Sequence, residues 1–408
     1  MTTGYEERLA GGYTGRMLGS LALAWAALQT GRFLLSPLLP AIIESLSITK
    51  ATAGLALGAF QLTYAATQYP SGRLSDAFTR ASMLLPGLGV LVAAFALLSV
   101  AGTYAAFVGA VVLLGVGKGL FAIPSRALVS DLFVERRGQA FGLYTAGTDV
   151  GGTLSALLAF LVVGGGAVLF AGSPLAEPLA AADWRTPFVP VAVVLGAAGL
   201  LYAAWNRESL SVGRTEIGLV ATVGRLATTR EQRETLFAFS LFYFMVGAWI
   251  NFLPTYLAEA KGLAEPLPQL LFAIVFVVGM GVKPLSGAAS DRFPRRLVAV
   301  AGLGLAVAAL VAVTLAVSVV GIAASVALFA LGYKAQFPVV DAVLLDAAPD
   351  ANAGGDLGAA RALFLGVGAL GPVYMGAVAT AVGYGVALAG LVVCLLVAGI
   401  VLAVGARR

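Results

Sequence analysis

The chain has 408 residues, 60% of them hydrophobic and only 11% charged, with a mean hydropathy of +0.96 and a net charge of +5. Soluble domains carry roughly 25% charged residues, so this composition excludes a set of water-soluble domains and points to a chain whose solvent is largely lipid. No histidine is present, which excludes a Ser-His-Asp triad, His-ligated zinc or haem and an imidazole proton shuttle; the single cysteine, Cys394, excludes a disulfide within the chain.

A helix needs about 20 apolar residues to cross the hydrocarbon layer. On that criterion the sequence predicts spans at 17–44, 51–71, 82–101, 104–128, 138–163 and 187–206, then at 235–258, 269–289, 297–318, 320–345, 360–381 and 384–404. Span one follows fifteen polar residues and is too long for a signal-peptide core, so no cleavable signal is expected. Residues 164–186 form a longer connection on one side. Residues 207–234 form the longest on the other, hold five arginines, and include a stretch from Ile217 to Leu226 suited to a helix lying on the membrane surface. The expected organisation is therefore an all-α membrane protein of twelve helices: a six-helix bundle over 1–206, a cytoplasmic linker over 207–234 and a second six-helix bundle over 235–408.

The basic residues orient it. Sixteen of the 25 Lys and Arg fall on the side of the termini, three (Lys50, Arg185 and Lys261) on the other, and six within spans or at their edges. The positive-inside rule then places both termini in the cytoplasm of a multi-pass plasma-membrane protein. It also explains the net positive charge without a nucleic-acid partner. Lys283 lies near the cytoplasmic end of span eight and is expected to snorkel outward.

The two halves echo each other about 215 residues apart. Ser71-Gly72-Arg73-Leu74-Ser75-Asp76 with Arg80 follows span two, and Ser286-Gly287-Ala288-Ala289-Ser290-Asp291 with Arg292, Arg295 and Arg296 follows span eight. Lys118, Phe121 and Pro124 in span four are answered by Lys334, Phe337 and Pro338 in span ten. Internal repeats of this kind are common in secondary transporters, with the substrate site near the midplane between the halves.

Gly-x-x-x-Asp-x-x-x-Arg after spans two and eight resembles the signature of the major facilitator superfamily, and the run Asp131 to Gly142 resembles that family's loop between spans four and five. The resemblance covers essentially the whole chain and is nearest in flavour to prokaryotic, including archaeal, secondary transporters. It implies the twelve-helix major facilitator fold, alternating access, a central cavity lined by spans one, four, seven and ten, and a gating role on the cytoplasmic side for Gly72, Asp76, Arg80, Gly287, Asp291 and Arg292. The sequence departs from the family pattern at Ala77, Thr79 and Pro294 and at Val111, where a span-four signature places arginine. Gly147-Thr148-Asp149-Val150-Gly151-Gly152 keeps the glycines of the drug/proton exchangers' span-five signature but lacks its proline.

Charges at bilayer depth are costly and face a cavity or a partner. Arg32, Lys118, Asp149 and Lys334 lie well inside spans one, four, five and ten, near one plane. Three cations against one anion make the site positive. Arg32, Lys118 and Lys334, with Asn251 beside them in span seven, are therefore the expected ligands of a small organic anion or phosphate-bearing solute, the guanidinium gripping it bidentately and each ammonium acting as a point charge. Asp149 is the candidate for proton coupling. The competing reading is an internal ion-pair network, with Arg32–Asp149 its obvious pair; an uncoupled carrier also stays open. Arg126 and Asp341, matched in spans four and ten, form a candidate inner-gate pair. Gln29, Gln61, Tyr64, Tyr144, Trp249 and Gln336 either line the cavity or pack helices.

No cofactor, metal or enzymatic chemistry is expected. Gly115-Val116-Gly117-Lys118-Gly119 lacks the Ser or Thr of a phosphate-binding loop and lies inside a span. The expected partners are a small-molecule solute and the bilayer, with the protein acting as a monomer. The alternatives are a multidrug or other efflux exchanger of the same fold and, in a different class, a channel or non-transporting receptor.

Overall fold

In lipid every backbone N–H must find its partner within its own segment, so long apolar runs become helices. The computed structural model describes residues 6–211, 229–346 and 353–405, and among them the regular structure is helical throughout. The expected surface helix from Ile217 to Leu226 lies outside the described residues, as do the side chains of Asp76 and Asp341.

The first six spans are Gly12–Leu34 continued by Leu39–Ser45, then Lys50–Ala77, Arg80–Leu98, Tyr104–Leu132, Arg137–Phe160 extended to Leu169, and Phe188–Trp205. The second six are Arg230–Glu259, Leu267–Arg292, Arg295–Leu315, Val319–Asp346, Ala353–Gly368 continued by Leu370–Ala381, and Tyr384–Gly405. Ten described helices are long and apolar enough to cross a bilayer unaided, and the bent first span makes eleven. The twelfth, Lys50–Ala77, has the length at 28 residues but is diluted by Thr52, Gln61, Thr63, Tyr64, Thr67, Gln68 and Tyr69. Span one bends by 56° between its two helices, where Pro37 and Pro40 interrupt the backbone ladder.

Helix packing repeats between the halves. Span four packs on spans two and three, and span ten on eight and nine; span one packs on five and six, and span seven on eleven and twelve. Span five then meets span eight, and span two meets span eleven, so the halves join across two matching seams. Small residues close both seams. A Cβ on Gly152 would strike the Phe276 ring, and Cβ atoms on Gly54 and Gly376 would strike the backbone carbonyls of Pro372 and Lys50.

The repeated signature sits differently from the expectation. Ser71–Asp76 and Ser286–Asp291 do not form loops; they lie on the last turns of spans two and eight, because nothing stops those helices before Phe78 and Phe293. The Phe78 N–H donates to the Leu74 carbonyl and the Phe293 N–H to the Ala289 carbonyl, the same closure 215 residues apart. Arg80 and Arg295 both open the following helix, so the structural counterpart of Arg80 is Arg295; Arg292 belongs to the last turn of span eight.

Candidate functional site

The site is built by five spans. Span five presents Asp149, span eight Lys283, span ten Lys334, span one Arg32 and span four Lys118. Asp149 is 2% exposed and Lys334 is 1% exposed, and their Oδ1 and Nζ atoms are 2.8 Å apart. The other carboxylate oxygen, Oδ2, accepts a short hydrogen bond from Lys283 Nζ. The carboxylate of the first half is thus bridged by two ammonium groups of the second. Gly279 makes room for it: a Cβ there would sit 2.8 Å from Asp149 Oδ1 and 2.9 Å from Lys334 Cε. The Phe276 ring lies 4.3 Å from Lys334 Nζ and meets Phe33 edge-on at 4.5 Å.

The partner of Asp149 is therefore not Arg32. Arg32 stacks its guanidinium on Phe33 at 4.4 Å and Phe60 at 5.7 Å. Lys118, 5% exposed, places Nζ 4.2 Å from the Tyr64 ring centroid and 5.5 Å from that of Phe60. Phe60 is thus shared by both cations, and Arg126, further along span four, stacks on Trp25 at 5.3 Å. Among the described residues no carboxylate lies within ion-pair distance of Arg32, Lys118 or Arg126. Of the five cations on these spans, Lys283 and Lys334 contact the carboxylate of Asp149, and Arg32, Lys118 and Arg126 rest on aromatic rings. A cation over an aromatic face recovers about 2 kcal/mol when desolvated, whereas burying a charge at bilayer depth costs at least about 2.5 to 3.5 kcal/mol. The aromatic rings alone leave Arg32 and Lys118 under-compensated, and an anion between them would close the difference.

Lys283 is the residue that sequence reading missed. It does not snorkel; it turns inward to Asp149. Its position one turn after Gly279, on the same helix face, was the available signal. Asn251 is half-buried and donates its side-chain amide to the Gly247 carbonyl at 2.6 Å, so its free acceptor is the side-chain oxygen. Tyr64 lies under Lys118, while Tyr144 bonds Ser125 at 2.6 Å and stacks on Trp25 at 5.3 Å. Gln336 donates to the Ala299 carbonyl, and Trp249 packs on Tyr256 and Phe329. Buried Gln29 and Gln61 leave their side-chain oxygens without a partner.

The end of the bundle distal to the termini is shut. Ser36 Oγ, at the bend of span one, donates to the carbonyls of Ile250 at 2.6 Å and Asn251 at 3.0 Å in span seven. Gln269 donates to the Pro37 carbonyl at 3.1 Å. Lys50 and Glu259 form an ion pair of 2.6 Å across the halves, with Lys50 also 5.2 Å from the Tyr384 ring.

At the terminal end, Arg80 Nε donates to Asp131 at 3.0 Å and its Nη1 to Ser75. Asp291 and Arg292 are exposed, and Asp291 borders a cleft with Glu231, Arg295 and Arg296, the last paired to Glu231 at 2.8 Å. Gly72 and Gly287 are not forced by sterics. Cβ atoms there would lie 3.6 Å from Ile123 and 4.0 Å from Pro338, ordinary contacts at matching places. Before span five, Glu7 accepts the backbone N–H groups of Val134, Glu135 and Arg136 at 2.7 to 3.0 Å. These donors, that of Glu135 foremost, hold its carboxyl below the usual carboxylate range.

The family model described as Major Facilitator Superfamily matches residues 21–282 and 235–408. The chain belongs to this superfamily. It is 27% identical over 297 residues to a probable sulfoacetate transporter of Cupriavidus necator, an alignment covering 69% of this chain and 65% of that protein. It is 24% identical over 283 residues to the fosmidomycin resistance protein of Escherichia coli, covering 69% and 66%. Among solved structures it shares the fold of a bacterial homolog of the human lysosomal transporter Spinster, inward-facing and unoccupied, with a TM-score of 0.82, 18% identity and 98% of each chain covered. A POT family transporter in complex with 5-aminolevulinic acid gives 0.74 at 14% identity over 95% of each chain.

Proposed function

We propose that this superfamily member is a secondary transporter that carries a small organic anion by alternating access, the halves 1–206 and 235–408 rocking about the midplane site. The observation that carries the reading is the pair of cations, half-buried Arg32 and buried Lys118, which share Phe60 and have no carboxylate beside them among the described residues. Arg32 supplies a planar fork for a carboxylate, sulfonate or phosphonate, and Lys118 a point charge. The name of the Cupriavidus relative favours this sign, since sulfoacetate bears a sulfonate and a carboxylate. Coupling to protons is assigned to Asp149, the one midplane carboxylate among the described residues. The positive-inside bias supports cytoplasmic termini in the plasma membrane, so that the shut distal end is the outer gate and the signature residues Gly72, Asp76, Arg80, Gly287, Asp291 and Arg292, with Arg126 and Asp341, form the inner one. The protein acts as a monomer.

A thermal-shift screen of the purified protein against carboxylates, sulfonates, phosphate esters, sugars and cationic drugs tests the reading. Small anions should raise Tm, and Arg32→Ala and Lys118→Ala should each weaken the response at least about tenfold in concentration, a loss of about 1.4 kcal/mol. Stabilisation by cationic compounds alone would overturn the proposal.

A further inference from the structure

We infer that Asp149 is a built-in counter-anion: its carboxylate occupies a second anion subsite, formed by Lys283 and Lys334, which accepts an external oxyanion when that carboxylate is withdrawn. The inference rests on the reading of the cavity as an anion site and concerns a different part of it.

Four observations carry it. Each Asp149 oxygen takes one lysine, so a single oxyanion bridges two ammonium groups, as a bound sulfate or carboxylate would. The three charges sum to +1, so even with Asp149 in place the subsite carries an uncompensated cation. The anion comes from span five in one half and both cations from spans eight and ten in the other, so any motion that parts span five from spans eight and ten pulls the carboxylate out of the bridge. Asp149 is short and stays near its helix, while the lysines are long and travel with theirs. Finally, the absence of a side chain at Gly279 is what seats an oxyanion here: a Cβ there would lie 2.8 Å from Asp149 Oδ1 and 2.9 Å from Lys334 Cε, so the space belongs to the bridge and passes to any oxyanion that replaces the carboxylate. The rings facing the bridge are Phe276 and Tyr333, both beside Lys334, and Phe337, over Lys283, and the nearby charged group, Arg32, is a further cation; none of these supplies a second anion.

Once withdrawn, Asp149 leaves buried Lys334 and half-buried Lys283 without an anion, which is unfavourable. An anionic group of the solute can take its place. The solute is then held at two points, one group on Arg32 and Lys118 and the other on Lys283 and Lys334, which selects molecules bearing two anionic groups.

The experiment compares Tm of purified wild type and Asp149→Asn in sodium sulfate and in sodium chloride at equal ionic strength. Asp149→Asn should melt below wild type in chloride, and sulfate should raise its Tm by about 5 °C or more beyond the shift of wild type. Lys283→Met in the Asp149→Asn background should abolish this extra sulfate response. Equal stability of the two proteins in chloride, or equal sulfate shifts in both, would overturn the inference. Should Asp149→Asn fold only in sulfate, the subsite is supported. Should it fold in neither salt while Asp149→Asn/Lys334→Gln folds, the lysines need a carboxylate but do not bind a free anion, and the subsite is overturned. Loss of the sulfate effect with anion stabilisation of wild type intact defeats this inference alone and leaves the role of Arg32 and Lys118 standing.

Discussion

The two halves share one helix plan but treat the same charge in opposite ways. Lys118 in span four and Lys334 in span ten are buried to similar degrees and each faces the neighbouring span at positions 215 residues apart. Facing Lys118 that position is Tyr64, whose ring fills the space under the ammonium; facing Lys334 it is Gly279, which leaves the space for the Asp149 carboxylate. A ring accepts a cation weakly and gives it up easily, whereas a carboxylate neutralises it. The lysine of the first half therefore keeps its positive charge available, whereas the two lysines of the second half share one carboxylate, which the first half supplies. A repeat that preserves the scaffold can still place its chemistry on one side, because a single side chain decides what fits beside a lysine.

Substitutions of two glycines on span eight, one at the bridge and one away from it, sharpen the comparison. Gly279→Ala should have the larger effect: its Cβ would collide with Asp149 Oδ1 and the Lys334 stem, forcing the bridge to shift. A lowered Tm corresponding to about 1–2 kcal/mol is expected, whereas Gly287→Ala, one residue past the next two turns, should leave Tm unchanged because only Pro338 lies near, at 4.0 Å. Equal effects of the two changes would mean that the space at Gly279 is not what seats the carboxylate.

A smaller effect is expected at the distal end, where the halves meet through Lys50 and Glu259. Both side chains are partly exposed, 24% and 39%, so screening leaves this pair less than about 1 kcal/mol of stability. Its contribution should be to the gate. With Cys394→Ser as background and Ser36→Cys as reporter, Lys50→Gln should speed labelling by a membrane-impermeant maleimide several-fold with Tm nearly unchanged. Exchanging the two charges should restore slow labelling. Labelling indifferent to Lys50 would show that the Lys50–Glu259 pair does not hold this end shut.

Much of this was legible in the sequence. Apolar run lengths gave the spans, since a bilayer leaves the backbone little choice, and the echo between Ser71–Asp76 and Ser286–Asp291 gave the pseudo-symmetry. Counting residues along spans placed Asp149 and Lys334 at one depth, and they touch. Depth, however, says nothing of the direction in which a side chain points around its helix. The competing reading of the sequence, an ion-pair network, therefore offered Arg32 as the partner of Asp149, while the structure turns it to Lys283 and Lys334 in spans eight and ten. Lys283 was assigned outward by its distance from the end of span eight, although Gly279 one turn before it opens the inward path. The resemblance implied a gating role for Gly72 and Gly287, and in this structure, with the distal end shut, both positions have room for a methyl group.

The central claim is that the midplane site moves an anion, and flux tests it most directly. Purified protein reconstituted in liposomes should take up or exchange radiolabelled small carboxylates, sulfonates or phosphonates such as sulfoacetate, and Arg32→Ala should abolish the flux. Transport of a cationic dye with none of the anions, or anion flux undiminished in Arg32→Ala, would contradict the account.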